Sequence, residues 1–561
     1  MPRPATGSAV APALLTIALI ATGLLAQNPA STAPSPASAA ADGLGQRIER
    51  IVSRPEFRHA TFGIEFFDLD SGKAIYQLNP DELFTPASTT KLLTEGTALE
   101  LLGADFRFHT RVYGIGRLKK NGTLKGDLVL VASGDPNLSG RMQADGTLAF
   151  ENEDHCYGGS VDTRAVPGDP LAVIRKLAAQ VAAHGVKRIE GRVLVDTRLF
   201  PEGEAELGTG SIVSPVIVND NIIDVTASPG TAVGAPVQLH VSPDTAYTRF
   251  VNQATTGKAD SEPDIKWAKD QETPAGSHLV IVTGSMPLGK PSILFNYDVP
   301  QPSRFAEFVL VEALRQVGVR MRRPLGPTSL EHVIMAGAGL PILSLPQQLL
   351  LPPPSAYAAA NLLAEHVSPP LSEEVKVTLK VSQNLHASVT PSILGAVLAH
   401  TTKEVGQAGF DLERGLLQKA GLDLSGASQS DGAGGSEAAF FTPDFMVHYL
   451  AYMSRQKDFN LFFNALPILG RDGTLWNIQT QSAAAGHVHA KTGTYGAYDA
   501  LNKNLMVTGK GLAGYMTTVD GRHLCFAAYA NRVAVPMGGD ATTKIVGQAL
   551  GEIAGAGYLG L

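Results

Sequence analysis

Residues 86–103 read PASTTKLLTEGTALELLG. The stretch after Ser88 is rich in Leu, Ala and Glu, and Gly103 offers a stop, so the sequence predicts a helix here. Pro86 stands just ahead, where a helix start tolerates proline. Ser88 and Lys91 are three apart, and residues so spaced share a helix face. The lysine amine is then within reach of the serine hydroxyl. Such a hydroxyl is a weak nucleophile until a base takes its proton. A lysine can be that base where its surroundings depress its pKa. A helix start also brings a positive dipole end and free backbone N–H groups, which suit a developing oxyanion. The pair alone carries little, because Ser454 and Lys457 repeat it. That repeat lies in a polar run, Ser454-Arg455-Gln456-Lys457-Asp458, and reads as an exposed helix end.

Two more short patterns occur once each: Ser382-Gln383-Asn384, and Lys491-Thr492-Gly493 followed by Thr494. A strand bearing Lys491-Thr492-Gly493 offers an ammonium, a hydroxyl and a residue without Cβ. The gap at Gly493 would let a substrate backbone lie close. Alone, the first pattern is an ordinary helix C-terminus and the second an ordinary strand end. All three in this order are far harder to obtain by chance. His487 and His489 alternate just before Lys491, but no His-Glu-x-x-His pattern accompanies them, so a lining or core role is expected. Asp135 and Asp196 end strands and are expected to cap turns.

The elements around these patterns fall into blocks. A helix is predicted near Leu44–Ile51, and Thr61–Phe67 with Ala74–Leu78 read as a hairpin across Asp70-Ser71-Gly72. From about 107 to 320 short β-rich runs dominate, among them Leu128–Ala132, Arg192–Asp196, Val237–Val241 and His278–Val282. LKGDLVLVASGD (124–135) and IEGRVLVDTR (189–198) echo each other, either as related halves of one module or as two similar edges. A helix is expected near Phe305–Val317. After Leu351–Pro354, helical patterns follow at Ala356–His366 and Ser372–Ser382. Gly511–Val519 and His523–Ala530 read as strands, with a two-residue hairpin signal at Asp520-Gly521, and a last helix covers about Thr542–Ala554.

With 561 residues, 44% of them apolar, the chain can build several packed cores. Its 58 glycines and 36 prolines favour a loop-rich, strand-containing protein over a helical bundle. The net charge of −7 argues against a general nucleic-acid binder, which needs a basic face. Arg3, the apolar run Ala9–Ala26 and the Ser/Ala/Pro-rich stretch to Ala41 read as an export signal and linker; an uncleaved anchor is the alternative. Export permits a disulfide, but Cys156 and Cys525 are so far apart that free buried thiols are expected.

The trio of patterns resembles the signature of penicillin-binding proteins and serine β-lactamases. Ser88 and Ser382 are separated by about half the chain, an interval far longer than in class A β-lactamases. It resembles the low-molecular-weight class C penicillin-binding proteins, the D-alanyl-D-alanine carboxypeptidase/endopeptidase family S13, which carry inserted domains there. GDLVLVASGDP (126–136), SPVIVNDNIIDVTASPG (214–230), Ser368-Pro369-Pro370-Leu371, Asp431-Gly432-Ala433-Gly434 and GLAGYMTTVDGR (511–522) are similar to that family too. Two departures stand out. Ala433 replaces the serine usual there, and the segment from Tyr495 to Gly511 is longer than expected, so it can reshape the rim. Gln383 is a position where the family varies, and it is given no weight.

The resemblance implies a multi-domain α+β protein. Its catalytic domain would be β-lactamase/transpeptidase-like, an antiparallel sheet flanked by helices, split into about 43–106 and 345–561. Residues 107–344 would form inserted β-rich domains that carry no catalytic residue, and 1–42 a signal and linker. The two hairpins near Thr61 and Asp520 should join one sheet. The implied reaction attacks the carbonyl between two D-alanines with Ser88. Lys91 takes the proton, and Ser382 relays it to the leaving amine beside Lys491. The N–H groups of Ser88 and Thr494 hold the oxyanion, Asn384 bonds the substrate amide, and Lys491 with Thr492 favours a terminal carboxylate. No metal or organic cofactor is implied. The expected partners are peptidoglycan peptides and inhibitory β-lactams, in the periplasm or cell envelope, without stable membrane association. A β-lactamase or esterase on the same fold, or a non-catalytic wall-binding protein, remains the alternative. Lys491→Arg is expected to keep some acylation and Lys91→Arg none.

Overall fold

Thr61–Asp68 alternates as a strand should, with Phe62, Ile64 and Phe66 entering one core and Phe67 another. It pairs antiparallel with Lys73–Leu78, and the Asp68 carboxylate, accepting from the N–H groups of Asp70 and Ser71 at 2.9 and 3.0 Å, closes the turn. On its other side it meets His523–Asn531, from Thr61 opposite Asn531 to Asp68 opposite Leu524. The strand order is Val488–Asp499, Asn504–Thr517, His523–Asn531, Thr61–Asp68, Lys73–Leu78, with Val533–Pro536 also on Asn504–Thr517. The two hairpins thus join one antiparallel sheet, as expected. The turn at Asp520-Gly521 is longer than the sequence suggests. Thr518 N–H reaches Arg522 O at 3.0 Å, leaving a three-residue loop whose last member, Gly521, has φ +86°.

Helices cover both faces, so the central strands are apolar on both. Ala513, Tyr515, Cys525, Ala527 and Tyr529 pack with Leu92, Leu93 and Leu99 of helix Lys91–Leu102 and with helix Pro443–Met453. Leu512, Met516, Leu524, Phe526 and Ala528 pack against the helices Leu44–Val52 and Gln548–Tyr558. The last helix starts with a wide turn, Thr543–Gly547, and runs four residues past its predicted end.

The computed structural model describes residues 43–322, 325, 351–538 and 540–560, so the expected export segment lies outside the described residues. Residues from Gly43 onward form one compact unit. No helix among the described residues is long and apolar enough to cross a membrane. Cys156 and Cys525 are buried and free.

Between residues 107 and 322 lie three sheets and the helices Ala172–Ala183 and Pro302–Gln316. One sheet has the order Arg320–Met321, Arg188–Ile189, Thr123–Val131, His109–Leu118, Leu362–Val367, with Val193–Asp196 also on Thr123–Val131. The echoing segments are neighbours in it: Leu128–Val131 runs parallel to Val193–Asp196, residue for residue. Asp135 and Asp196 accept backbone N–H groups two residues on, which makes both turn caps. Leu362–Val367 corrects the expected helix at Ala356–His366. The stretch has helix-forming Ala, Leu and Glu, but it lies against an open edge, and antiparallel pairing with His109–Tyr113 decides its state. The inserted sheet therefore continues past residue 345, to Val367.

Candidate active site

Ala87–Thr90 forms a tight turn that leads straight into helix Lys91–Leu102. Ala87 has φ +46°, an uncommon conformation for a residue with a side chain. Its carbonyl lies where a Cβ on Gly434 would stand, 2.0 Å away, and Gly434 itself has φ +84°. Only glycine lets these two backbones meet.

The Lys91 side chain is fully buried. Its Nζ lies 2.7 Å from Ser88 Oγ, 2.7 Å from Asn384 Oδ1 and 3.0 Å from Ala433 O. Two of these partners are carbonyl oxygens, which only accept. Once neutral, such an amine can give its two hydrogens to them and offer its lone pair to the Ser88 hydroxyl. Burial pushes the Lys91 pKa down to about 8, against the raising pull of Glu206 and Asp431. The arrangement can therefore take the serine proton near neutral pH.

The Ala433 carbonyl is aimed by a backbone nest. Asp431 Oδ1 accepts from the N–H groups of Ala433, Gly434 and Gly435 at 2.8, 2.6 and 3.1 Å, and Oδ2 accepts from Ser436 N–H at 2.9 Å. The contact with Lys91 needs no side chain at 433, so the missing hydroxyl leaves the amine fully bonded.

Helix Leu371–Val381 stops at Ser382, which is left-handed at φ +62° and ψ +37°, and helix Asn384–Leu398 begins two residues later. Lys491 Nζ donates to Ser382 Oγ at 2.8 Å and to Thr492 O at 2.8 Å. Lys491 has no exposed surface, and burial, then Lys91, then Lys510 hold its amine well below the usual lysine range. Gln383, given no weight in the sequence, matters here. Its Oε1 caps the new helix by accepting from Leu385 N–H at 2.8 Å, and its Nε2 donates to Asp220 at 3.2 Å.

Strand Val488–Asp499 carries Lys491, Thr492, Gly493 and Thr494 past the Ser88 turn. A Cβ on Gly493 would stand 2.3 Å from Pro86 O and 3.2 Å from Ser88 N. What crowds Gly493 is the turn that bears Ser88. Thr492 Oγ1 bonds Thr474 Oγ1 at 2.7 Å. A cleft of about 680 Å³ is lined by Ser88, Ser382, Asn384, Thr492 and Thr494, among others. The long segment after the third pattern forms a ribbon whose Tyr495, Gly496, Leu505 and Val507 also line it.

The inserted region reaches the cleft. Tyr157 lines it, and its hydroxyl donates to Ser382 O at 2.6 Å and lies 3.3 Å from Asn384 Oδ1. Behind it is a buried ionic network. Arg141 Nη2 donates to Asp154 and Asp220 at 2.8 and 2.6 Å. His155 bridges Asp220 and Asp224, and His386 bridges Asp220 and Glu374. Asp154, His155 and Asp220 are close enough to share a cation. The guanidinium of Arg141 already supplies that charge, and both nitrogens of His155 are engaged.

The histidines before Lys491 stack on rings, His487 on Tyr558 and His489 on Phe463, but His487 is exposed, His489 is half-buried and neither lines the cleft, which corrects the expected lining or core role. Ser454 caps its own helix end by bonding Ala451 O, and Lys457 is 74% exposed beside Asp458. None of the three cleft patterns could have revealed Tyr157, Asp431 or the Arg141 network.

A five-strand antiparallel order, helices on both faces, and a serine–lysine pair opposed by a lysine-bearing strand define the penicillin-binding class of serine hydrolases. More particularly, the chain belongs to the D-Ala-D-Ala carboxypeptidase 3 (S13) family, which it matches over residues 44–330 and 347–549. A D-alanyl-D-alanine carboxypeptidase of Actinomadura sp. is 28% identical over 517 residues, which cover 88% of this chain and 84% of the relative. The D-alanyl-D-alanine carboxypeptidase DacB of Haemophilus influenzae is 23% identical, over 83% and 84%. The crystal structure of penicillin binding protein 4 from Haemophilus influenzae superposes with a TM-score of 0.66 at 19% identity, covering 91% of this chain and 98% of that one. The protein is thus a serine peptidase of the peptidoglycan-acting kind.

Proposed function

We propose that Ser88 is the nucleophile of a D-alanyl-D-alanine carboxypeptidase/endopeptidase and that Lys91 is its base. The observation that carries this is the fully buried Lys91 amine, 2.7 Å from Ser88 Oγ and held by two carbonyl oxygens. Ser88 Oγ adds to the penultimate D-alanyl carbonyl while its proton passes to Lys91. The N–H groups of Ser88 and Thr494 receive the oxyanion. Ser382, tied to Lys491, hands a proton to the leaving amine, and the acyl-enzyme forms as the C–N bond breaks. Water then repeats the sequence on the ester. Asn384 spends its Oδ1 on Lys91, which leaves its Nδ2 to orient a substrate carbonyl.

The substrates would be peptidoglycan stem peptides, and β-lactams would acylate Ser88; a structure of penicillin binding protein 4 from Haemophilus influenzae complexed with a novel β-lactam supports the second point by analogy. The Ala9–Ala26 run supports export to the periplasm or envelope. The catalytic body would comprise 43–106 and the chain after Val367. A mass spectrum of the penicillin-treated protein should show one adduct, on the peptide bearing Ser88, absent in Ser88→Ala. An adduct that survives in Ser88→Ala, or sits at Ser454, overturns the assignment. Purified muropeptides, with products identified by mass, distinguish carboxypeptidase from endopeptidase action. Rapid release of hydrolysed penicillin would instead favour the β-lactamase alternative.

A further inference from the structure

Lys91 and Lys491 have no exposed surface and do not line the cleft. A third lysine does. Lys510 stands on strand Asn504–Thr517 directly opposite Thr494, and it lines the cleft together with Ser88 and Thr494. It is 8% exposed. Its Nζ donates to Thr494 Oγ1 at 2.6 Å, and no carboxylate among the described residues pairs with it. Its stem passes Gly547, where a Cβ would come within 3.7 Å of the chain. Among the described lining residues it is the one cation.

We propose that Lys510 is the anion anchor of the cleft and receives the carboxylate of the substrate's terminal D-alanine, or of a β-lactam. A buried ammonium without a counter-ion is costly to hold, and an incoming carboxylate repays the cost with a charge-assisted bond. Burial keeps the amine down at about 8, so near neutral pH it is still largely charged. Lys491 is a poor candidate for this task, because its donors are spent on Ser382 and Thr492 and no atom of it reaches the cleft. Thr494 links the two functions of the strand: its N–H is the one proposed for the oxyanion, and its hydroxyl accepts from Lys510. Lys510 would therefore set the preference for a free terminal carboxylate, while Ser88 and Lys91 do the chemistry. The proposal rests on Ser88 as the nucleophile.

The test compares Lys510→Met and Lys510→Arg with the unsubstituted protein, using benzylpenicillin and its carboxamide as acylating agents. In Lys510→Met the second-order acylation rate with the acid should fall about 10- to 100-fold, mainly through weaker binding, and the rate with the carboxamide by less than about 3-fold. Lys510→Arg should hold the acid rate within about 10-fold, because it keeps the charge. Thermal melts report folding, and Lys510→Met should melt no lower than the parent, because it removes an unpaired buried charge. Equal losses for acid and carboxamide, or no loss for either, overturn the proposal while leaving the nucleophile in place. Absence of any Ser88 adduct in the unsubstituted protein overturns the nucleophile assignment, and this proposal with it.

Discussion

At the scale of single residues, the proposed reaction turns on the acid–base state of Lys91. With its pKa near 8, the amine is mostly protonated at pH 7 and free above about pH 8. The acylation rate should therefore rise roughly tenfold per pH unit below about 8; above it, where the Lys510 amine also loses its charge, the rate should fall for a β-lactam with a free carboxylate and level off for its carboxamide, as stopped-flow traces would show. The same shift affects folding with a definite sign. The unfolded side chain holds its proton up to about 10.5, so burying it costs stability fully below pH 8, and the cost vanishes between 8 and 10.5. The melting temperature of the parent should gain on that of Lys91→Met across that window, while the variant forms no adduct. Lys491 requires a revised expectation. Its amine is enclosed, so the larger guanidinium of Lys491→Arg would be forced against Ser382 and the strand, and acylation should be lost rather than retained. The Ser88, Lys91 and Lys491 positions were legible in the sequence because each sits in a short pattern of fixed spacing. Lys510 was not, because only the pairing of two strands places it opposite Thr494.

Among elements, strand and turn fit tightly at Gly493. Gly493→Ala would put a methyl carbon 2.3 Å from the Pro86 carbonyl and so push the nucleophile turn aside. A displacement near 1 Å costs about 100-fold in rate, and the same stopped-flow assay should register at least that loss, with a smaller change in melting temperature. Tyr157 acts on another turn. Its hydroxyl holds the carbonyl of Ser382, whose left-handed backbone is strained. Tyr157→Phe keeps the ring and removes that bond, so acylation should drop about 3- to 10-fold. A wild-type rate in that variant would mean the turn is held by Lys491 alone. Residues 107–344 are expected to carry no catalytic residue, and no sequence pattern marks Tyr157 as a neighbour of Ser382. Their contact arises from packing between segments more than 200 residues apart. Leu362–Val367 was misread for a related reason: composition within six residues favours a helix, whereas the open edge that captures it lies near Val112.

The whole molecule is tied together by the network of Arg141, Asp154, His155, Asp220, Glu374 and His386. Burial would lower the pKa of His155, but Asp224 and Asp154 raise it to about 10; Glu374 and Asp220 do the same for His386. Asp220 is held well below the usual carboxylate range, chiefly by Arg141 and His386 acting against burial. The raised histidines contribute stability that is whole below about pH 6.5 and lost as pH climbs through about 10. Melting temperature should thus fall from pH 7 to pH 10, partly offset by Lys91, and the fall should be shallower in His155→Gln. That variant leaves Asp220 and Asp224 short of a partner and should cost about 3–5 kcal/mol near neutral pH in denaturant titrations. Excising 107–344 would remove Arg141, His155 and Asp220 and leave strand Leu362–Val367 without its neighbour. Such a remnant should not fold cooperatively, and far-UV circular dichroism during heating would show it.

The strand pairing has a consequence in time. Residues 61–68 are made more than 450 residues ahead of their partner strand, 524–531. At synthesis rates of about 5–20 residues per second, the first hairpin waits on the order of a minute for its neighbour. During that wait one long edge with Phe62, Ile64 and Phe66 has nothing to cover it. The Ser88 turn is likewise idle until residue 493 arrives beside it. On the proposed mechanism a growing chain therefore has no working nucleophile until the strand bearing Gly493 is in place. Nascent chains halted just before Lys491 should bind no penicillin at all.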